Sequence, residues 1–249
     1  MALLFFGGIM SIAYQNVWWS LAIATSFVLI VLFNKANQFL SSLLLSFLLG
    51  FLCFTLCNVW VDNLALSNEM TILLKRLMLF WVIVLPVCQQ RFFKKPVSWY
   101  NHKPNWNEPM VIGKHKIHTR LFLLIGVLSN SIVYFFFIVQ QDRSLFLSLL
   151  WFCIAFSLIN AVFEEVIWRG VMLSALQHVA SLPYAIILTS VGFGLLHLSI
   201  GFPLLLSLLI SGAGIIYAVL TIKTNSIYPA IAFHLVINIG MVYSGFIIE

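Results

Sequence analysis

Residues Phe146 to Val171 read FLSLLWFCIAFSLINAVFEEVIWRGV. The run up to Phe163 holds no charge, as a helix inside a bilayer requires, and then Glu164, Glu165 and Arg169 arrive together. Burying charges at such a depth is costly, so a chain that keeps them there pairs them or uses them. Which of the two applies decides what the chain is for.

The surroundings extend the membrane reading to the whole sequence. Of 249 residues, 62% are hydrophobic and only 8% charged, with a mean hydropathy of +1.07, a balance that water-soluble domains do not show. Crossing the hydrocarbon layer takes about 20 largely apolar residues, and candidate spans fall at 17–33, 38–60, 71–88, 119–139, 144–163, 183–200, 203–222 and 226–247, with 2–14 as a short extra. The expected fold class is therefore all-α, a polytopic transmembrane helical bundle of about eight spans forming one integral membrane domain over 1–249. Within it, 1–139 contributes N-terminal helices with a basic loop at 89–118, and 144–247 the helices that carry the polar motifs. No internal repeat or low-complexity tract divides the chain. The opening MALLFFGGIM has no basic leader and no small-residue cleavage site after it, so the start is expected to be retained.

Orientation follows from the placement of Lys and Arg between spans. Arg91, Lys94, Lys95, Lys103, Lys114 and Lys116, with Arg120 just beyond, mark 89–118 as cytoplasmic, and Lys35 and Lys223 fall on the same side. Asp62, Glu69, Asp142, Arg143 and Glu249 fall on the other. Lys75 and Arg76 fit this scheme poorly, because they sit near the outer end of their span and would have to snorkel or shorten it. The net charge of +6 lies mostly in the one loop, which suits attraction to the lipid bilayer, and no folded basic domain supports nucleic acid as a partner. Pro96, Pro104 and Pro109 break helix there, and Trp99, Tyr100 and Trp106 suit a loop at the membrane interface. His102, His115 and His118 read as solvated loop residues. Cys53, Cys57, Cys88 and Cys153 have no metal-type spacing and read as small buried packing residues. The richness in Leu, Phe and Ile, without an organellar targeting segment, points to a bacterial plasma membrane.

Beyond Glu164, Glu165 and Arg169, the polar residues inside spans are His197 in FGLLH and His234 and Asn238 in HLVIN. On a helix Glu165 and Arg169 share a face and can pair, whereas Glu164 is turned about 100° away and lacks a partner on its own helix. His234 and Asn238 also share a face and can present two hydrogen-bonding groups to one point. Glu164 and His197 each stand about 16 residues from the middle of the turn ASLP (Ala180 to Pro183), so two antiparallel helices would hold them level. His234 is about seven residues into its span, which sets the opening of the site toward the cytoplasmic half. Tyr217, Asn160 and His178 read as structural.

A glutamate and a histidine facing one point can activate water, and a histidine and an asparagine one turn apart can stabilise the oxyanion formed when water attacks a carbonyl. These are the parts of peptide or ester hydrolysis. No serine or cysteine is placed as a nucleophile beside them. A divalent metal such as zinc is the competing account, since Glu164, His197 and His234 could supply three ligands and leave a position for water.

The three motifs, Glu164-Glu165-Val-Ile-Trp168-Arg169-Gly170, Phe193-Gly-Leu-Leu-His197 and His234-Leu-Val-Ile-Asn238, resemble in order the EExxxR, FxxxH and HxxxN motifs of the CAAX protease and bacteriocin-processing (CPBP or Abi) family of intramembrane peptidases, which includes the CAAX prenyl endopeptidase. The resemblance covers about residues 155–245. It implies that Glu164 is the catalytic carboxylate, His197 its partner in activating water, and His234 with Asn238 the oxyanion pair, with Glu165 and Arg169 in support. It implies an endopeptidase acting near the cytoplasmic face on a membrane-bound or lipid-associated peptide, with no cofactor favoured and zinc the alternative. Two other readings compete: a non-catalytic bacteriocin-immunity or peptide-binding scaffold protein, and, with less support, a proton-coupled transporter.

Overall fold

The computed structural model describes residues 1–141 and 143–247. Asp142 and Glu249, expected on the outer side, lie outside the described residues, as does the side chain of Arg143. In chain order the elements are α1 (Ala2–Ala13), α2 (Val17–Phe33), α3 (Gln38–Asp62), α4 (Asn68–Leu77), α5 (Phe80–Phe92), β1 (Met110–Ile112), β2 (His115–Ile117), α6 (Thr119–Ile138), α7 (Arg143–Glu165), a π-helical segment (Val166–Leu173), α8 (Ser174–Leu176), α9 (Leu182–Leu196), a 3-10 turn (His197–Ile200), α10 (Leu204–Thr224) and α11 (Tyr228–Tyr243).

The fold is the expected all-α bundle, with one exception. In the basic loop β1 and β2 pair antiparallel, joined through Gly113 at φ +60, a conformation open to glycine at little steric cost. Among the described residues, six segments are long and apolar enough to cross a membrane: Lys35–Asp62, Asn68–Phe92, Thr119–Ile138, Phe146–Leu176, Leu182–Ile200 and Leu204–Thr224. The expected spans at 17–33 and 226–247 are apolar helices of 17 and 16 residues, shorter than the others. The extra segment at 2–14 is a 12-residue helix whose Phe5 packs edge-on to Phe47 of α3. Of the four cysteines only Cys153 is buried; Cys53 and Cys57 are half-buried and Cys88 is exposed, because an apolar residue of a spanning helix can face lipid as readily as protein.

Two ends of the bundle can be told apart. At one, the basic loop docks on helix termini: the Ile227 amide donates to the Tyr100 carbonyl at 2.8 Å, the Asn105 amide to the Thr224 carbonyl at 2.8 Å, and the Tyr100 hydroxyl to Gln177 Oε1 at 3.1 Å. Burial raises the pKa of that Tyr100 hydroxyl above its ordinary value, and the bond to Gln177 opposes the shift in part. At the other end, Asp62, Lys75, Ser199 and Phe246 surround a cavity.

Close helix packing holds the polar motifs together. A Cβ at Gly194 of α9 would lie 2.2 Å from the Ser207 carbonyl oxygen of α10, and one at Gly214 of α10 would lie 3.0 Å from the Ser190 backbone of α9. Small residues let these two helices approach until their backbones touch, as in other membrane bundles. Beside them the π-helical segment places Trp168 against Phe47, ring centroids 4.8 Å apart, and Gly192 leaves room for the Trp168 ring.

Candidate active site

The site starts from α7, whose inward face carries Ser157, Asn160 and Glu164 at helical spacing, followed by Glu165 where the π-helical segment begins. That segment widens the turn between Glu165 and Arg169, yet the two still pair, with Arg169 Nη1 3.0 Å from Glu165 Oε1. Arg169 is fully buried, and its two Nη nitrogens are bonded while its Nε makes no hydrogen bond among the described residues. Its Nη2 donates to the Gly214 carbonyl at 2.8 Å, and its guanidinium lies 4.8 Å from the centre of the Phe193 ring and 5.1 Å from that of Tyr217.

Glu165 does more than hold Arg169. Its Oε1 also accepts from His234 Nδ1 at 2.9 Å. A carboxylate fixes the proton on Nδ1, so the neutral ring presents the lone pair of Nε2, which donates only when the ring carries its second proton. Nε2 lies 3.8 Å from Glu164 Oε2, too long for a direct hydrogen bond. The His234 ring stacks on Tyr217, centroids 5.2 Å apart and 16° from parallel. Tyr217, which reads as structural in the sequence, is thus a wall of the site; Asn160, read the same way, is buried on the Glu164 face, and His178 is exposed at the turn.

His197 ends α9. Its Nδ1 donates to the Phe193 carbonyl at 3.0 Å, since a carbonyl can only accept, and this leaves Nε2 as the acceptor of the neutral ring. The Phe193 ring stands edge-on to both histidines, 5.3 Å from His197 and 5.8 Å from His234. Glu164, Arg76 and His234 all lie within electrostatic range of His197. Asn238 is buried on α11 and gives its Nδ2 to the Ser157 carbonyl at 3.4 Å, near the limit for a hydrogen bond. It is one turn from His234, as expected, but this bond turns it toward the α7 backbone.

Glu164 differs from the expectation in one respect. It has no partner on its own helix, but Arg76 of α4 brings a guanidinium Nη1 to 3.8 Å from its Oε1. Arg76 neither snorkels nor shortens its span: it is 8% exposed and points inward, with its guanidinium 5.7 Å from the centre of the Phe156 ring. Its neighbour Lys75 instead turns to Asp62 at the end of α3, at 2.5 Å. Neither Glu164 oxygen makes a hydrogen bond among the described residues, although the residue is 1% exposed.

A cavity of about 330 Å³ reaches this cluster from the end of the bundle opposite the basic loop. Arg76 and Phe202 line it, and each touches a motif residue, Arg76 approaching Glu164 and the Phe202 ring lying 5.8 Å from that of His197. Depth along the helices aims the motif residues at the basic-loop end; in the structure His197 sits at the far end of α9, so the cavity beside it lies on the other side. As a metal site the cluster does not fit: among the described residues no three or more of His, Cys, Asp and Glu are grouped to hold an ion. The Glu165 oxygen nearest His234 is taken by Arg169, and a guanidinium already stands by Glu164.

Residues 146–240 match the family model described as type II CAAX prenyl endopeptidase Rce1-like. The match runs from α7 into α11 and takes in all three motifs, while Arg76 lies outside it. No curated protein and no solved structure matches the chain.

Proposed function

We propose, from the match of residues 146–240 to the type II CAAX prenyl endopeptidase Rce1-like family model and from the geometry of the buried cluster, that the chain hydrolyses a peptide bond of a membrane-associated peptide or small protein with water activated by Glu164. The observation that carries this reading is a carboxylate buried to 1% exposure whose two oxygens make no hydrogen bond among the described residues, set between His234 Nε2 and Arg76 and close to His197. A buried carboxylate left open in this way is a strained arrangement for structure alone and a useful one for taking up and returning a proton.

In this mechanism a water lies between Glu164 and the Nε2 lone pair of His197. Glu164 takes its proton as the oxygen bonds to the peptide carbonyl carbon. The oxyanion receives hydrogen bonds from His234 Nε2, when that ring carries its second proton, and from the Asn238 amide, which gives up only its long bond to Ser157. Collapse breaks the C–N bond, and the proton held by Glu164 passes to the leaving amine. Glu165, Arg169, Tyr217 and Phe193 fix the orientation of His234, the work a buried carboxylate does for a catalytic imidazole. The mechanism uses no metal, and its substrate is a peptide associated with a bacterial plasma membrane.

The test compares small membrane and secreted peptides by mass spectrometry between cells with the wild-type protein and cells with Glu164→Gln. Peptide termini that appear only with the wild type are the expected result. If no terminus differs while the variant inserts normally, the chain is a peptide-binding scaffold.

A further inference from the structure

Among the described residues, Arg76 is the one member of the cluster that also lines the cavity. Its guanidinium makes no hydrogen bond among those residues; its only charged partner there, Glu164, stands at 3.8 Å. Arg169, fully enclosed, has by contrast both Nη nitrogens bonded, one to Glu165 and one to the Gly214 carbonyl, with Nε alone left without a partner among the described residues. A buried planar guanidinium with open donors on a cavity wall is a receptor for an oxyanion, most of all for a carboxylate gripped by two parallel bonds. Lys75, on the same wall, is occupied by Asp62, and Asn58 and Ser199 add neutral polar groups.

From this placement we propose that Arg76 and its cavity form a subsite for a carboxylate of the bound peptide, one that selects substrates bearing a negative charge one or two residues from the cleaved bond. The proposal rests on the hydrolytic reading of Glu164, since that residue locates the bond. The spacing follows from reach: Arg76 adjoins Glu164, and each extended residue covers about 3.3–3.6 Å, so an anion on the cavity side of the guanidinium cannot be far along the chain. Charge balance agrees. When Glu164 takes the proton of the attacking water its charge is lost, and a buried Arg76 is then left without a counter-ion. A substrate carboxylate already seated on its other donors removes that cost. The carboxylate has two sources, the free C-terminus of a peptide or an acidic side chain.

The experiment measures thermal stabilisation of the full-length detergent-solubilised protein by three probes: acetyl-Leu-Leu-Leu with a free carboxylate, its C-terminal amide, and the amide of acetyl-Leu-Asp-Leu. We expect the free acid to bind at least about ten-fold more tightly than the plain amide. A matching gain with the aspartyl amide assigns the site to an acidic side chain as well, and no gain restricts it to the terminus. Glu164→Gln, which removes the competing carboxylate, retains the preference, Arg76→Lys keeps part of it, and Arg76→Gln abolishes it. Since Arg76→Gln alone leaves Glu164 without a cation and can compromise folding, the double variant Arg76→Gln/Glu164→Gln, neutral at both positions, must also lack it. Equal binding of acid and amide by the wild type, or a preference that persists in the double variant, overturns the proposal. Binding is read without turnover. A chain that prefers the acid but cuts nothing therefore sinks the hydrolytic reading and the spacing to a cleaved bond while keeping the carboxylate site at Arg76, and one that cuts without the preference sinks only this proposal.

Discussion

Two buried arginines face two adjacent glutamates, and they are treated in opposite ways. Arg169 meets Glu165 at 3.0 Å, a carbonyl of α10 at 2.8 Å and two aromatic faces, with none of its surface exposed. Arg76 meets Glu164 at 3.8 Å, beyond hydrogen-bond range, and keeps one side on a cavity. A buried charge costs least when its donors have acceptors; Arg169 Nε and Glu165 Oε2 make no hydrogen bond among the described residues, but both Nη nitrogens are bonded, so the first pair is arranged for permanence. The second is arranged to be interrupted. Under the proposed mechanism the difference separates scaffold from chemistry within two consecutive residues of α7.

The sharpest way to break this contrast is to exchange the carboxylates one at a time for amides. Glu164→Gln should lower turnover by about 10²- to 10⁴-fold, the usual worth of a general base, and leave the melting temperature within a few degrees; peptide-terminus analysis and thermal unfolding of the same preparation check both. Arg169→Met strands Glu165 in the interior and should cost about 3–5 kcal/mol of stability, read as poor insertion or a large loss in unfolding temperature, with partial recovery in the double variant Arg169→Met/Glu165→Gln. Should Arg76→Met prove as destabilising as Arg169→Met, the contrast between the two arginines fails; the longer, unbonded contact predicts less than half the cost. Gly194→Ala drives a methyl into the Ser207 carbonyl of α10 and should cost about 1–3 kcal/mol by overpacking, loosening both histidines together. The smallest effect belongs to Cys88→Ser, since that cysteine is free and exposed: a change within about 0.5 kcal/mol in unfolding experiments is expected.

Much of the fold and of the site is legible in the sequence, and the parts that are not share a cause. The span at 17–33 coincides with α2, and the pairing of Glu165 with Arg169 holds, because both depend only on neighbours along one helix. The contact of His234 with Glu165 joins residues 69 apart; no periodicity carries such information, and the same holds for Tyr217 against His234 and Asn238 against Ser157. Arg76 leaves a trace, as the cation that fits no topology. An ionisable residue that the membrane rules cannot place is a residue another helix has claimed. The hairpin of β1 and β2 gives no sign, since three-residue strands are too short to show alternation.

The π-helical stretch over Val166–Leu173 has a bearing on how this molecule tolerates length changes. A helix wound with more residues per turn than the α-helix holds a surplus residue in its spiral. Losing Ile167 would let the coil relax to the ordinary pitch, but each residue removed from a helix swings the remainder by about 100°. The guanidinium of Arg169 would then leave the slot between Phe193 and Tyr217. Between Glu165 and Arg169 the count of residues matters as much as their identity.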